Sequence, residues 1–152
     1  MHPTIQDLAV QSLLAGLTET EMGKLLPLVS LIRIAKDEHV FKEKAACRGI
    51  YMIREGRIEI SKTTPDGWKQ PLVILGQGRF MGEIATLEKT GHATDARALE
   101  GADLVLFPKD AFDSLERTEP SIMLKVIKNI AIVSALNVRR MNNKFIKVLV
   151  NY

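Results

Sequence analysis

The chain has 152 residues, 46% of them hydrophobic and 26% charged, which is the ordinary composition of one soluble domain that can bury its own core. Its single cysteine, Cys47, excludes an internal disulfide and a multi-cysteine zinc site and fits a reducing compartment such as the cytoplasm. The net charge of +3 is uneven, because residues 121–152 carry six basic side chains and no acidic one, whereas the other 120 residues carry 15 basic and 18 acidic side chains.

The sequence also bears on where the protein is located and on what its basic end contacts. The sequence does not begin with a secretory signal pattern, and its longest apolar-leaning run, Ile130 to Val138, is shorter than the roughly 20 residues that cross a bilayer. We therefore expect a soluble, cytoplasmic protein without a membrane span. The basic segment, residues 121–152, is either a solvated face or a surface for nucleic acid, an acidic protein or anionic lipid.

The first 30 residues predict two short helices that lead into the rest of the chain. Helical patterns cover Thr4 to Leu14 and Thr18 to Leu28, and Gly16 separates them. Thr18 and Glu21 have the three-residue spacing of a capping box, which marks the start of the second helix.

Residues 31–107 predict a small antiparallel β structure, because short alternating segments are separated by turn residues. Ile50 to Ile53 and Ile58 to Ile60 flank a glycine turn and have the pattern of a hairpin. Pro71 lies in the segment Trp68 to Leu75, which makes that segment an edge strand or a bulged strand. Eight or so such strands indicate an α+β fold, an antiparallel jelly-roll barrel (double-stranded β-helix) with N-terminal helices and a long C-terminal helix. A barrel of this kind leaves a mouth for a ligand.

The segment from Phe80 to Ala98 carries the strongest functional signal. Gly82 opens a short helical stretch, GEIATLE, whose first amides lack internal partners and can face an anion. Glu83 adds a carboxylate that can accept hydroxyl groups of a sugar. The segment therefore suits the ribose phosphate of a nucleotide.

This segment, GEIATLEKTGHATDARA, resembles the phosphate-binding cassette of cyclic-nucleotide-binding domains, the sensor module of the catabolite activator and FNR regulators. Two further stretches, Tyr51 to Ile60 and Gly76 to Glu83, are similar to the barrel signatures of that family, and the resemblance covers about residues 17–141. It implies a site for a cyclic nucleotide, cAMP or cGMP. The residues that the resemblance assigns to ligand binding are Gly82, Glu83, Ile84, Ala85, His92, Ala93, Thr94 and Asn137.

One position of the cassette departs from the family pattern. His92 stands where the family has a phosphate-binding arginine, and the residues after it, Ala93 and Thr94, are small as in the family. Arginine is a permanent, forked donor for two phosphate oxygens, whereas imidazole is smaller and mostly neutral above a pKa of about 6.5. We therefore expect weak or altered ligand affinity. Arg97 matches a second family arginine and does not replace the first.

Residue type alone gives a different expectation for His92. A solitary histidine is more often a surface loop residue than a ligand contact, so His92 is expected at the surface. If it does contact the ligand, it should bind anions better below about pH 6.5, where the imidazole is charged.

Residues 108–152 predict two helices. Pro108 starts a short helix to Glu116, Pro120 starts a longer one, and the pair Asn142–Asn143 marks a plausible end for it. Because the longer helix is apolar around most of its circumference, a second copy of the chain is expected to cover it and form a homodimer. The resemblance implies that this helix also closes over the nucleotide base. Asn137 would contact the base there or would fix the dimer register.

The domain boundaries follow from these elements. We expect one domain with a helical lead-in over residues 1–30, a β-roll over residues 31–107 and C-terminal helices over residues 108–152. Transcription factors of the resembled family continue into a helix-turn-helix domain, and the sequence leaves no length for one, so no DNA-binding domain is expected.

The sequence is compatible with three classes of function. The leading hypothesis is a non-enzymatic cyclic-nucleotide-binding regulatory module in signal transduction, which senses a cyclic nucleotide or another small anion. The alternative is a ligand-free dimerisation or protein-docking scaffold of the same fold, which the missing arginine favours. A metal enzyme of jelly-roll shape would need clustered histidines, but His2, His39 and His92 are scattered. We therefore expect no catalytic residue, no metal site and no cofactor beyond the nucleotide ligand.

Overall fold

The structure, a computed structural model, describes residues 1–151 and begins with short helices that are shorter than predicted. Helix α1 spans Ile5–Ala9 and α2 spans Glu19–Leu25, and a 3-10 turn follows each, at Ser12–Leu14 and at Leu26–Leu28. The capping box at Thr18 is present, because the Thr18 amide donates to Glu21 Oε1 at 2.9 Å and the Glu21 amide donates to Thr18 Oγ1 at 3.1 Å.

The first predicted helix breaks because two of its residues bond to the β structure instead. Gln11 is extended, and its buried Nε2 donates to the Ile53 carbonyl oxygen at 3.1 Å. The Ser12 amide and hydroxyl both donate to the Gly78 carbonyl oxygen, at 2.8 and 2.7 Å. Since these bonds replace helical ones, the lead-in is tied to the strands rather than continued as a helix.

Eight strands form two four-stranded antiparallel sheets, which confirms the predicted jelly-roll type of fold. The first sheet has the order β1-β8-β3-β6 and the second has the order β2-β7-β4-β5; the sheets face each other and are not closed into one barrel. The edge strand β5 carries Pro71 beside a bulge opposite β4, so both expected roles of that proline are met. The strands are β1 Ser30–Ile34, β2 His39–Phe41, β3 Gly49–Glu55, β4 Ile58–Thr63, β5 Lys69–Leu75, β6 Phe80–Met81, β7 Asp95–Ala98 and β8 Ala102–Pro108.

The first sheet is buried on both faces, which explains the continuous apolar runs of β3 and β8. Ile50 and Met52 of β3 point toward the helices, while Tyr51 and Ile53 point toward the second sheet. Strand β8 alternates in the same way, with Val105 and Phe107 on the helical side and Leu104 and Leu106 between the sheets. The molecule therefore has two apolar layers that share one sheet.

Three helices complete the chain, and the last one is longer than predicted. Helix α3 spans Glu83–Glu88, α4 spans Lys109–Thr118 and α5 spans Pro120–Val150. The expected helix end at Asn142–Asn143 is wrong, because α5 passes through both residues. No glycine or proline lies between residues 121 and 150, and asparagine alone disfavours a helix only weakly.

Helix α5 is anchored only along its first half. Ile122, Val126 and Ile130 are buried, and Asn129 Nδ2 donates to the carbonyl oxygens of Leu13 and Ala15 at 2.8 and 2.9 Å. From residue 135 onward every described residue of the helix is exposed.

The long helix also modifies the expectation about membrane spans. By length and composition alone, Pro120–Val150 could cross a membrane: its most apolar 18-residue window has a mean hydropathy of 1.5 and is 17% buried. The apolar-leaning run Ile130 to Val138 is shorter because it excludes the few charged residues that such a window tolerates. One such helix is weak evidence for a membrane span.

Candidate functional site

A cavity of about 560 Å³ lies between the second sheet, the turn from β6 into α3, and the distal half of α5. The structure brings all the residues predicted to bind a ligand to this one cavity, although they are far apart in sequence; their role in binding stays a prediction. The predicted residues that line it are Gly82, Glu83, Ile84, Ala85, His92, Ala93, Thr94 and Asn137.

The turn at Gly82 fixes one wall of the cavity. Gly82 has a left-handed backbone, with φ of 85°, and a Cβ there would lie 2.7 Å from the Gly49 carbonyl oxygen. The hydroxyl of Thr86 donates to the Gly82 carbonyl oxygen at 2.8 Å and lies 3.3 Å from the Cys47 Sγ atom. These contacts hold the start of α3 directly against β3.

Glu83 lies half-buried on the cavity wall. Burial raises the pKa of its carboxyl above the ordinary 4.5, because desolvation penalises the charged form. Within residues 1–151 no cation lies in salt-bridge contact with this carboxylate. Glu83 can therefore accept or donate a hydrogen bond to a ligand hydroxyl, depending on its protonation.

The expectation that His92 is a surface loop residue is wrong. Its side chain is only 4% exposed, and its ring stacks on the ring of Phe41 with a centroid distance of 3.6 Å and an interplanar angle of 6°. Two backbone hydrogen bonds hold it in place, from the Lys44 amide to the His92 carbonyl and from the His92 amide to the Ala45 carbonyl. This burial depends on β2, about 50 residues earlier, so residue type alone did not indicate it.

The chemistry of His92 differs from that of an arginine. Burial lowers the pKa of its imidazole below 6.5, so the ring is neutral at pH 7 and supplies no counter-charge. Its Nε2 atom has no hydrogen-bond partner in the described part of the chain, although the residue lines the cavity. One neutral polar atom is thus left for a ligand in place of a forked cation.

The remaining predicted residues divide into two groups. Ala93 and Thr94 keep the cavity open beside His92, and Asn137 reaches it from α5. Ser134, one turn before Asn137 on the same helix, is not among the lining residues. Arg97 lies outside the cavity lining and pairs with Asp37 at 2.6 Å and with Glu59 at 3.5 Å.

Sequence reasoning missed the cationic side chains of the cavity. Arg79, from the loop before β6, and Arg140 and Lys144, from α5, all line it. A signal was present, because Asn137, Arg140 and Lys144 have the i, i+3, i+7 spacing of one helical face. Most of the remaining lining is apolar and includes Ile60, Leu72, Val73, Phe80, Met81 and Val133.

The close approach of Gly82 to β3 gives a stability prediction. We expect Gly82→Ala to lower the free energy of unfolding by about 2–5 kcal/mol, because the new Cβ would require a left-handed backbone and would collide with the Gly49 carbonyl oxygen. Gly67→Ala is the matched control: Gly67 has φ of 86° but no atom within 4 Å of its Cβ position, so about 1–2 kcal/mol is expected. Equal losses in urea unfolding would contradict the collision.

The buried imidazole gives a pH prediction. Because the pKa of His92 in the folded state is below 6.5, the unfolded state binds the proton first, and folding stability falls as the pH drops below about 6.5. His92→Gln should reduce this slope, which is at most about 1.4 kcal/mol per pH unit, in urea unfolding between about pH 7.5 and 5. Burial also lowers the pKa of His39, so the His39→Gln variant measures how much of the pH dependence of stability is due to His39. A slope unchanged by His92→Gln would contradict the prediction.

Comparison with known proteins places the chain in a family. The sequence profile described as "Cyclic nucleotide-binding domain" matches residues 31–119. The chain is also 29% identical over 100 residues to a lysophospholipase, NTE1, of Chaetomium globosum, and 28% identical over 100 residues to the lysophospholipase nte1 of Neurospora crassa. Each match covers 66% of this chain but only 7% of the lysophospholipase.

Solved structures show the same fold at low sequence identity. A cyclic nucleotide-binding domain from Methylobacillus flagellatus superposes with a TM-score of 0.86 at 15% identity, over 94% of this chain and 83% of that one. The catabolite activator protein of Thermus thermophilus gives a TM-score of 0.78 at 21% identity, over 91% of this chain and 63% of that one. Since the family profile covers more than half of the sequence, the chain belongs to the cyclic nucleotide-binding domain family.

Proposed function

We propose that the chain is a non-enzymatic regulatory module that binds a cyclic nucleotide, cAMP or cGMP, with weak or altered affinity. The observation that carries the proposal is the convergence of the residues Gly82–Ala85, His92–Thr94 and Asn137 on one cavity of about 560 Å³. A cavity of this volume is within the range of small-molecule sites. We place this function in cytoplasmic signal transduction, where the single thiol of Cys47 stays reduced.

The altered affinity follows from the chemistry at His92. A phosphate beside this residue would meet a neutral imidazole rather than a guanidinium, which removes a charge-assisted contact worth roughly 1.5–3 kcal/mol. The orphaned Nε2 atom can still take part in one neutral hydrogen bond. The stacking of His92 on Phe41 favours the alternative, a ligand-free dimerisation or docking scaffold, because a histidine packed in this way also serves as an ordinary core residue.

The mechanism we propose is closure of α5 over the filled cavity. Asn137, Arg140 and Lys144 reach the cavity from the distal half of the helix, whose residues are exposed to solvent. A ligand that contacts both the second sheet and α5 favours the state in which the two are close. Ligand binding would thereby bias whatever interface the other faces of α5 form.

We further propose that a second copy of the chain is the partner on α5. Apolar or small residues, all of them exposed except the half-buried Ser134, recur with heptad spacing, on a face of the helix different from its buried face and free of any charge. In a parallel pair of helices, the residues that flank the seam on one copy lie beside those that flank it on the other. Asn137 would then lie beside Asn142 and Lys144 beside Leu149, so no like charges meet. The residues of this seam are Leu124, Ile127, Ala131, Ser134, Val138, Met141, Phe145 and Val148, of which Met141 also lines the cavity.

Binding is tested by thermal unfolding in the presence of cAMP and cGMP. A ligand that binds only the folded state at ten times its Kd adds about 1.4 kcal/mol, which raises the Tm by about 3–5 °C for a chain of this size. His92→Arg should increase cyclic nucleotide affinity by about 10–100-fold in titration calorimetry, because the variant offers the phosphate a forked cation at residue 92, where the wild type has a neutral ring.

The control for this experiment is His39→Arg, which adds the same charge to β2 at a residue that does not line the cavity. Its affinity should match that of the wild type. If no nucleotide shifts the Tm and a folded His92→Arg variant also fails to bind, the proposed ligand function is wrong and the ligand-free scaffold is supported.

Dimerisation is tested on the seam itself. Val138→Glu should convert a wild-type dimer into a monomer in light scattering, because it would bury a pair of carboxylates in the interface. Ile132→Glu is the matched control, since Ile132 is similarly exposed, 54% against 57%, but lies outside the seam. A wild-type monomer would refute the dimer, and if that monomer floated with phospholipid vesicles, the face would be assigned to a bilayer.

A further inference from the structure

Two cations on α5 face the cavity without a partner. Arg140 and Lys144 are one helical turn apart, both line the cavity, and neither makes an ion pair with any residue of the described range 1–151. Residues 121–152 contain no aspartate or glutamate that could neutralise them. Like charges at this spacing repel and destabilise a helix, so an anion between them would relieve a cost that the free protein carries.

The opposite wall of the cavity has no comparable charge. His92 is neutral and stacked on Phe41, and Glu83 can only contribute a negative charge or none. Arg97 is engaged by Asp37 and Glu59 away from the cavity. Besides Arg140 and Lys144, the only lining cation among the described residues is Arg79. The positive charge of the cavity therefore lies on α5 and on one loop, not on the segment 82–94.

We propose that the anionic group of the ligand binds at α5, between Arg140 and Lys144, while its uncharged part occupies the apolar interior next to His92. This inference rests on the proposed function, because it assigns an orientation to an anionic ligand in the same cavity. The Nε2 atom of His92, which has no partner in the described part of the chain, then meets a neutral polar group of the ligand. A neutral imidazole is a better partner for such a group than for a phosphate.

In this orientation, the cations that neutralise the ligand lie on α5, the helix that we propose to close over the cavity. Arg140 and Lys144 lie beyond the anchored first half of α5, on the part that is exposed in this structure. An anion bound there would join α5 to the second sheet through the ligand. Ligand charge, rather than ligand shape alone, would then determine how firmly the distal half of α5 docks.

The test compares a charged and an uncharged ligand that share one body, cAMP and adenosine. We expect Arg140→Gln combined with Lys144→Gln to weaken cAMP binding by about tenfold or more in titration calorimetry and to leave adenosine within about twofold. The matched control combines Arg139→Gln with Lys147→Gln, which removes the same two charges from the same helix at residues that do not line the cavity. It should change neither affinity by more than about twofold.

Two further readouts separate a direct contact from a general effect of charge. Raising the ionic strength from about 0.05 to 0.5 M should weaken cAMP binding to the wild type and have little effect on the Arg140/Lys144 variant, because exposed charges are screened. Hydrogen exchange of residues 138–150 should slow when cAMP binds the wild type and should not slow in that variant.

The outcomes distinguish the two proposals. If the wild type binds cAMP but both double variants lose affinity equally, or neither loses any, the orientation is wrong and the proposed function stands. If the Arg140/Lys144 variant loses adenosine binding as well, the two residues act on the cavity shape rather than on the anion, and the inference fails. If the wild type binds cGMP but not cAMP, the same comparison is made with cGMP and guanosine; if it binds neither nucleotide, the proposed function fails and the orientation fails with it.

Discussion

Three segments of backbone lie against each other at contact distance, and the rest of the site depends on that stack. A Cβ on Gly49 would collide with the Phe107 carbonyl oxygen of β8, and a Cβ on Gly82 would collide with the Gly49 carbonyl oxygen of β3. Only glycine allows such approaches at both levels. Because β3 and β8 are central to a sheet that is buried on both faces, the stack fixes the start of α3 to the most rigid part of the molecule. The cavity wall at residues 82–85 is therefore preorganised.

The replacement at residue 92 changes the kind of site that this rigid wall supports. An arginine would make the floor of the cavity cationic, whereas the histidine is packed against Phe41 as part of the apolar layer between the sheets. Burial of a titratable ring favours its neutral form, so the floor has hydrogen-bonding capacity without charge. The cations that line the cavity come from other elements, Arg79 in the loop before β6 and Arg140 and Lys144 on α5. The positive charge of this cavity and its neutral hydrogen-bonding group at His92 therefore come from different elements.

Sequence patterns were sufficient for the local structure and insufficient where distant segments meet. Glycine turns, alternating strands and the capping box at Thr18 are local, and the structure confirms them. The break after α1 arises from bonds between Gln11 and Ser12 and residues more than 40 positions away, which no window of sequence contains. The burial of His92 depends on β2 in the same way. Motif spacing predicted the cassette side of the site, whereas the cations of α5 became recognisable only once the docking of that helix was known.

The unequal anchoring of α5 has a mechanical consequence. The bonds of Asn129 to the N-terminal segment act as a fulcrum near the start of the helix, and about 20 residues extend beyond it. At 1.5 Å per residue this arm is about 30 Å long, so a tilt of about ten degrees at the fulcrum displaces its tip by about 5 Å. A change too small to disturb the sandwich of sheets is thus magnified severalfold at the far end, where another macromolecule could detect it.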